Sequence, residues 1–151
     1  MPNKKLKEIQ AALKVVLKKI KVADGYSQTI VDANIKKNFS PKAVSRREED
    51  DYPKIFVFPD HGENERHPSG RYRRHLRWII VCIIKKVTDS PEADEQIMDF
   101  IDDVDQVFDS NSTIEGCVHD SEVGEWTTDG GSAHPEAVAV IELTTTYDVQ
   151  R

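Results

Sequence analysis

From Val87 to Gln150 the chain contains neither lysine nor arginine. Residues 1–86 carry 20 basic and 10 acidic side chains, a balance of +10, whereas residues 87–151 carry one and 17, a balance of −16. The formal charge of −6 therefore conceals two opposed halves. A chain of 151 residues is expected to form a single domain spanning 1–151, which places both signs on one body. The acidic half argues against a polyanion as the main partner, because long-range repulsion opposes its approach. It favours head-to-tail contact between copies, since a heterologous interface needs two different, complementary patches.

Long apolar runs are also lacking. Nothing approaches the ~18–20 residues that a membrane span requires, and Met1-Pro2-Asn3-Lys4-Lys5 has no apolar stretch or cleavage site of a signal peptide. The expectation is a soluble protein with no membrane partner, assembled in a cytosol-like compartment. Only two cysteines occur, Cys82 and Cys117, without a CxxC spacing, so free thiols are expected rather than a disulfide or a metal knot. The histidines, His61, His67, His75, His119 and His134, form no HxH or HExxH arrangement. Gly130-Gly131-Ser132 lacks the lysine and the flanking elements of a phosphate-binding loop, and no nucleophile elbow is present. With no catalytic signature, the expectation is a non-enzyme without a cofactor.

Two helices are legible. Leu6, Ile9, Leu13, Val16, Leu17 and Ile20 recur at three and four, predicting an amphipathic helix over Lys4 to Lys21 with lysines on its outer face, broken by Asp24-Gly25. Ser90-Pro91-Glu92 starts a second, with Ser90 as N-cap, Pro91 at the first helical position and carboxylates in the first turn. It is expected to run to Asp109 with Ile97, Ile101, Val104 and Phe108 buried, Met98, Phe100 and Val107 widening the stripe, and Asp99, Asp102, Asp103 and Asp105 facing outward.

The strands are less uniform. Thr29, Val31, Ala33 and Ile35 form a weak alternating segment, and residues 40–52 read as a charged connection. Ile55–Phe58 is a short apolar strand, followed by Asp60–Gly70 as the projecting loop of a long hairpin. The return strand, Arg71–Val87, has Leu76, Trp78, Ile80, Cys82 and Ile84 on one face and Ile79, Val81 and Ile83 on the other. Apolarity on both faces requires cover on both. Either the helices take opposite faces, or they share one and a neighbouring subunit covers the other. Asn111–His134 reads as a long glycine-containing loop, and Ala137–Tyr147 as a final strand. The fold class is thus α+β, a mainly antiparallel sheet of about four strands with two amphipathic helices packed on it, plus a long hairpin and loops.

Candidate binding residues fall into two groups. Arg66, Arg71, Arg73, Arg74 and Arg77 cluster around the hairpin, and those spaced by two on a strand point the same way, forming a ridge suited to carboxylates or phosphates. Asp99, Asp102, Asp103 and Asp105 offer the complementary charge on the second helix. Carboxylates at that spacing also suit a hard divalent cation, although a sharply turning loop usually supplies such sites.

The order of elements resembles a family. The N-terminal helix followed by Asp24-Gly25-Tyr26, the Pro53-Lys54-Ile55-Phe56-Val57 strand, the arginine-flanked apolar strand, the Ile97-Met98-Asp99-Phe100-Ile101-Asp102-Asp103-Val104 helix, Ile114-Glu115-Gly116-Cys117-Val118 and a last strand ending near Tyr147 are similar to tailed-phage tail terminators, the tail-completion or minor tail protein U-like proteins. The resemblance implies a structural virion protein in the phage tail or neck, assembled in the host cytoplasm. It implies a ring of six copies that caps the head-proximal end of the tail tube, stops its polymerisation and joins the tail to the head-tail connector. Its partners would be other copies, the tail tube protein and connector or neck proteins, with DNA only passing through the lumen. By element, the ring contacts would come from the hairpin around Asp60 to Arg77, the acidic helix and the loop after Gly116. The alternatives are another neck or head-completion protein, and a nucleic-acid-binding module using the lysine helix and arginine hairpin, for which steep salt dependence would be diagnostic. A metal-dependent enzyme centred on Asp99, Asp102 and Asp103 lacks a base or nucleophile nearby.

Overall fold

The computed structural model describes residues 5–36, 52–66, 70–85, 91–128 and 136–150. Ser90, His67, His134, the glycines at 130 and 131, and the predicted connection over 40–51 lie outside them. Helix α1 spans Lys5–Leu17 and buries Ile9, Ala12, Leu13, Val16 and Leu17, the stripe that its period predicts. Leu6, expected in that stripe, is exposed. The helix ends before Lys21 because its last turn tightens, with the Lys19 and Ile20 amides bonding to the Val16 and Leu17 carbonyls three residues back. A 3₁₀ turn over Val22–Asp24 follows, closed by Gly25 at φ 94°, which glycine adopts without steric cost.

The weak alternating segment yields only a 3₁₀ turn at Asp32–Asn34 and the two-residue strand β1, Ile35–Lys36. Strands β2 (Lys54–Arg66) and β3 (Arg71–Lys85) form the long hairpin. Most of the predicted projecting loop is therefore strand, interrupted by a register shift between Pro59 and His61. Helix α2 spans Pro91–Ser110. The predicted Asn111–His134 loop contains an unforeseen element, strand β4, Asp120–Thr128, and β5 covers Glu136–Gln150.

These strands make one sheet in the order β1-β2-β3-β5-β4, antiparallel throughout except for the short parallel β1–β2 pairing. Both helices pack on the same face. Ile9, Leu13 and Leu17 of α1 join Phe100, Val104 and Phe108 of α2 over Trp78, Ile80, Ile141 and Leu143 of the sheet. At roughly 1.5–3 kcal/mol for each fully buried large apolar side chain, this layer is the main source of stability. Residues of opposite parity, Phe56, Val81 and Ile83, form a smaller cluster on the far face with Tyr52, Phe58, Ile79, Val138 and Val140 around it. Among the described residues no helix covers that face.

Candidate functional site

The hairpin, with β5 paired to it as far as Arg71, outruns the edge strand β4. Asp120, the first residue of β4, lies opposite Thr146, which lies opposite His75, so β3 continues from Arg74 to Arg71 beyond the end of β4. At about 3.4 Å per residue those four positions make a prong roughly 13 Å long. All five candidate arginines lie on it or at its base, but they differ in what they touch.

Arg73 Nε donates to Asp148 Oδ1 at 3.3 Å, and His119 Nε2 stands 3.0 Å from the other oxygen, Oδ2. Partial desolvation pushes the Asp148 carboxyl up, but the hydrogen bonds and positive charge of Arg73 and His119 outweigh it and hold the group below its usual value. Arg74 donates to Asn64 Oδ1 at 2.9 Å and to Tyr147 Oη at 3.2 Å. Arg77 lies 4.0 Å from Asp60 and 3.8 Å from Glu142. The predicted ridge is therefore largely answered from within the chain. Arg66 and Arg71, near the tip, are exposed, and their side chains make no hydrogen bond or ion pair with the described residues.

The acidic helix divides in the same way. Asp103, expected to face outward, is buried and accepts hydrogen bonds from Ser27 N at 2.9 Å and from Ser27 Oγ. It holds the turn after α1 against α2. Asp99, Asp102 and Asp105 are exposed, as is Asp109 one turn later, and none forms an ion pair among the described residues. With Asp103 turned inward, the four aspartates do not converge, and no group of three metal-ligating side chains assembles among the described residues. Asp105, Phe108 and Asp109 instead line a cleft of about 210 Å³ with Ser121, Glu122 and Val123 of β4. Among the described residues Glu122, which is exposed, has no ion-pair partner, and Ser121 Oγ is buried without a hydrogen-bond partner.

The segment after α2 carries a different feature. Ile114, Glu115 and Gly116 have successive φ values of 47°, 57° and 78°, a left-handed run that β-branched isoleucine rarely enters. Ile114 is fully buried, and Lys19 of the stretch after α1 bonds both Asn111 and Glu115, tying the turn to the first helix.

A family model described as Bacteriophage Tail Tube Terminator Protein matches residues 6–151, nearly the whole chain. The chain belongs to that family. A comparison with curated proteins finds no match. Membership makes this terminator a structural tail protein of the virion and implies association with tail tube proteins. Neither Asp148 nor the cleft residues Asp109 and Glu122 stand out in the sequence, because what each faces depends on which elements become neighbours.

Proposed function

We propose that the chain closes into a ring, six copies by its family resemblance, on the head-proximal end of the tail tube. There it blocks addition of another tube layer and presents its opposite side to the head-tail connector. Family membership supports the tube end as the place of action. The observation that carries the ring is the distribution of charge left without a partner among the described residues: Arg66 and Arg71 on the β2–β3 hairpin, and carboxylates on α2 and β4. Strands β2 and β4 lie on opposite sides of the sheet. Complementary patches placed so far apart within one copy meet only between copies, and the contact repeats until it closes.

The mechanism is steric: a ring seated on the last tube layer covers the edges on which the next would add. The nucleic-acid-binding alternative has less support, because Arg73, Arg74 and Arg77 are engaged within the chain. Polymerising purified tube protein with and without the terminator tests the reading. Tubes are expected to stop growing and to show a distinct annulus at one end in negative stain. Unchanged tube lengths at saturating terminator would overturn it.

A further inference from the structure

Of the nine charged residues that the sequence singles out around the hairpin and on α2, the structure removes four from contention. Arg73, Arg74 and Arg77 have partners within the chain, and Asp103 is buried on Ser27. What remains is a pair of guanidinium groups near the prong tip and an acidic cleft at the β4 edge of the sheet, neither with an ion-pair partner among the described residues. We propose that the prong tip of one copy inserts into the α2–β4 cleft of the next, with Arg66 meeting Asp105 and Asp109, and Arg71 meeting Glu122. This rests on the ring reading and specifies its subunit contact.

The pairing follows from side-chain parity. Directly opposed residues in a sheet share a face. Arg66 lies opposite Tyr72, which shares the helix-bearing face with Leu76 and Trp78, whereas Arg71 has the parity of Ile79 and Val81 on the far face. The two guanidiniums therefore straddle the tip. The cleft is divided likewise: Asp105 and Asp109 belong to α2 on the helix-bearing face. Glu122 lies opposite Thr144, which lies opposite Arg77 on the far face. Copies related by rotation within a ring, with their faces aligned, bring like face to like face, so each arginine finds its own carboxylate.

Distance excludes the same contact within one copy. From β2 to β4 there are three inter-strand steps, about 14 Å at roughly 4.8 Å each, and from Tyr72, opposite Arg66, to Arg77, level with Glu122, the strand runs on by about 17 Å more. The β2-β3-β5 end extends about 13 Å past β4. Its last two positions, Tyr72 and Arg71, lie beyond the level at which His119 meets Asp148, so the Arg66 and Arg71 side chains are placed to reach a neighbour. Met98 and Asp102 continue the Asp105–Asp109 stripe at helical spacing, and exposed Trp126 follows Glu122 on β4, so apolar surface flanks the charges. Ser121 Oγ, buried and without a partner in the cleft, is an additional acceptor for a guanidinium N–H. A second copy is the preferred occupant because the chain itself carries the complementary group on a projecting element.

Sedimentation velocity on the full chain tests this with three variants: R66E/R71E, D105K/D109K/E122K, and the two sets combined. Each set alone places like charges together and is expected to weaken self-association by at least about 100-fold. The combined variant restores opposite charges with exchanged sign and is expected to recover association to within about tenfold of the parent chain. R66A/R71A gives an intermediate loss and guards against a gross effect of reversal, and unchanged urea midpoints show that all variants fold. Association insensitive to either set, or a combined variant no better than its components, overturns the proposal. If the parent chain stays monomeric both free and on tubes, the copy-to-copy contact is wrong. Capping of tubes, measured separately, then decides the proposed function by itself.

Discussion

Arg73 and Asp148 face each other across β3 and β5, 75 residues apart in the chain, with Nε donating to Oδ1 at 3.3 Å and His119 Nε2 3.0 Å from the second oxygen. This relationship ties the base of the prong to the last strand and consumes an arginine that otherwise looks available for a partner. It also fixes a pH dependence. The folded-state pKa of Asp148 lies below its ordinary value of 3.8, so its stabilising contribution is fully present above that value and is lost as pH falls through the folded pKa. The urea midpoint of the parent chain is expected to exceed that of D148N at neutral pH, and the difference to shrink only below about pH 3.8. A difference that stays unchanged well below pH 3.8 would mean that the Asp148 carboxylate is not its source.

Asp103 provides a sharper separation of structure from assembly. Hydrogen bonds to a charged acceptor contribute about 1.5–3 kcal/mol, and D103A removes the shared acceptor of Ser27 N and Ser27 Oγ. Its expected cost is about 2–3 kcal/mol in urea unfolding, with D103N costing less because one carbonyl acceptor survives. D99N and D102N, on the exposed side, are expected to stay within ~0.5 kcal/mol of the parent. Equal effects at all positions would mean that Asp103 is not the clamp.

These divisions show what the sequence can and cannot reveal. The helical stripes of α1 and α2 and the two apolar faces of β3 follow from period alone, and Gly25 marks the break after α1. β4 escapes because Asp-Ser-Glu-Val-Gly-Glu-Trp-Thr-Thr has little apolar alternation: an edge strand with only Ser121 and Val123 partly buried needs none. Asp103 shares its spacing with three exposed aspartates, and nothing local distinguishes it until Ser27 arrives from 76 positions away. The arginine ridge is legible as a pattern, while its neutralisation depends on the register that sets Arg73 opposite Asp148.

The two cysteines are expected to behave differently. Cys82 is fully buried, which pushes its thiol well above the ordinary range and leaves it without thiolate, whereas Cys117 is only partly covered. Brief treatment of the native protein with iodoacetamide, followed by peptide mass analysis, is expected to modify Cys117, with Cys82 reacting only after denaturation. Equal labelling of both under native conditions would show that the β3 core opens readily.

The left-handed run at Ile114–Gly116 sets burial against backbone strain. A left-handed conformation costs an L residue roughly 1–2 kcal/mol, and burying an isoleucine returns about 1.5–3 kcal/mol, so the buried side chain at Ile114 offsets its backbone with little to spare. I114A keeps the unfavourable φ and loses the packing, and its expected cost is about 2–4 kcal/mol. Glu115 at φ 57° has no such burial; its ion pair with Lys19 is exposed on both sides and contributes at most about 1 kcal/mol. E115Q removes that pair and keeps the strain, whereas E115G removes both. E115G is therefore expected to be more stable than E115Q by up to about 1 kcal/mol, even though glycine adds entropy to the unfolded chain. If E115Q proved the more stable, the entropy that glycine adds to the unfolded chain would outweigh relief of the left-handed backbone, since neither variant keeps the pair with Lys19.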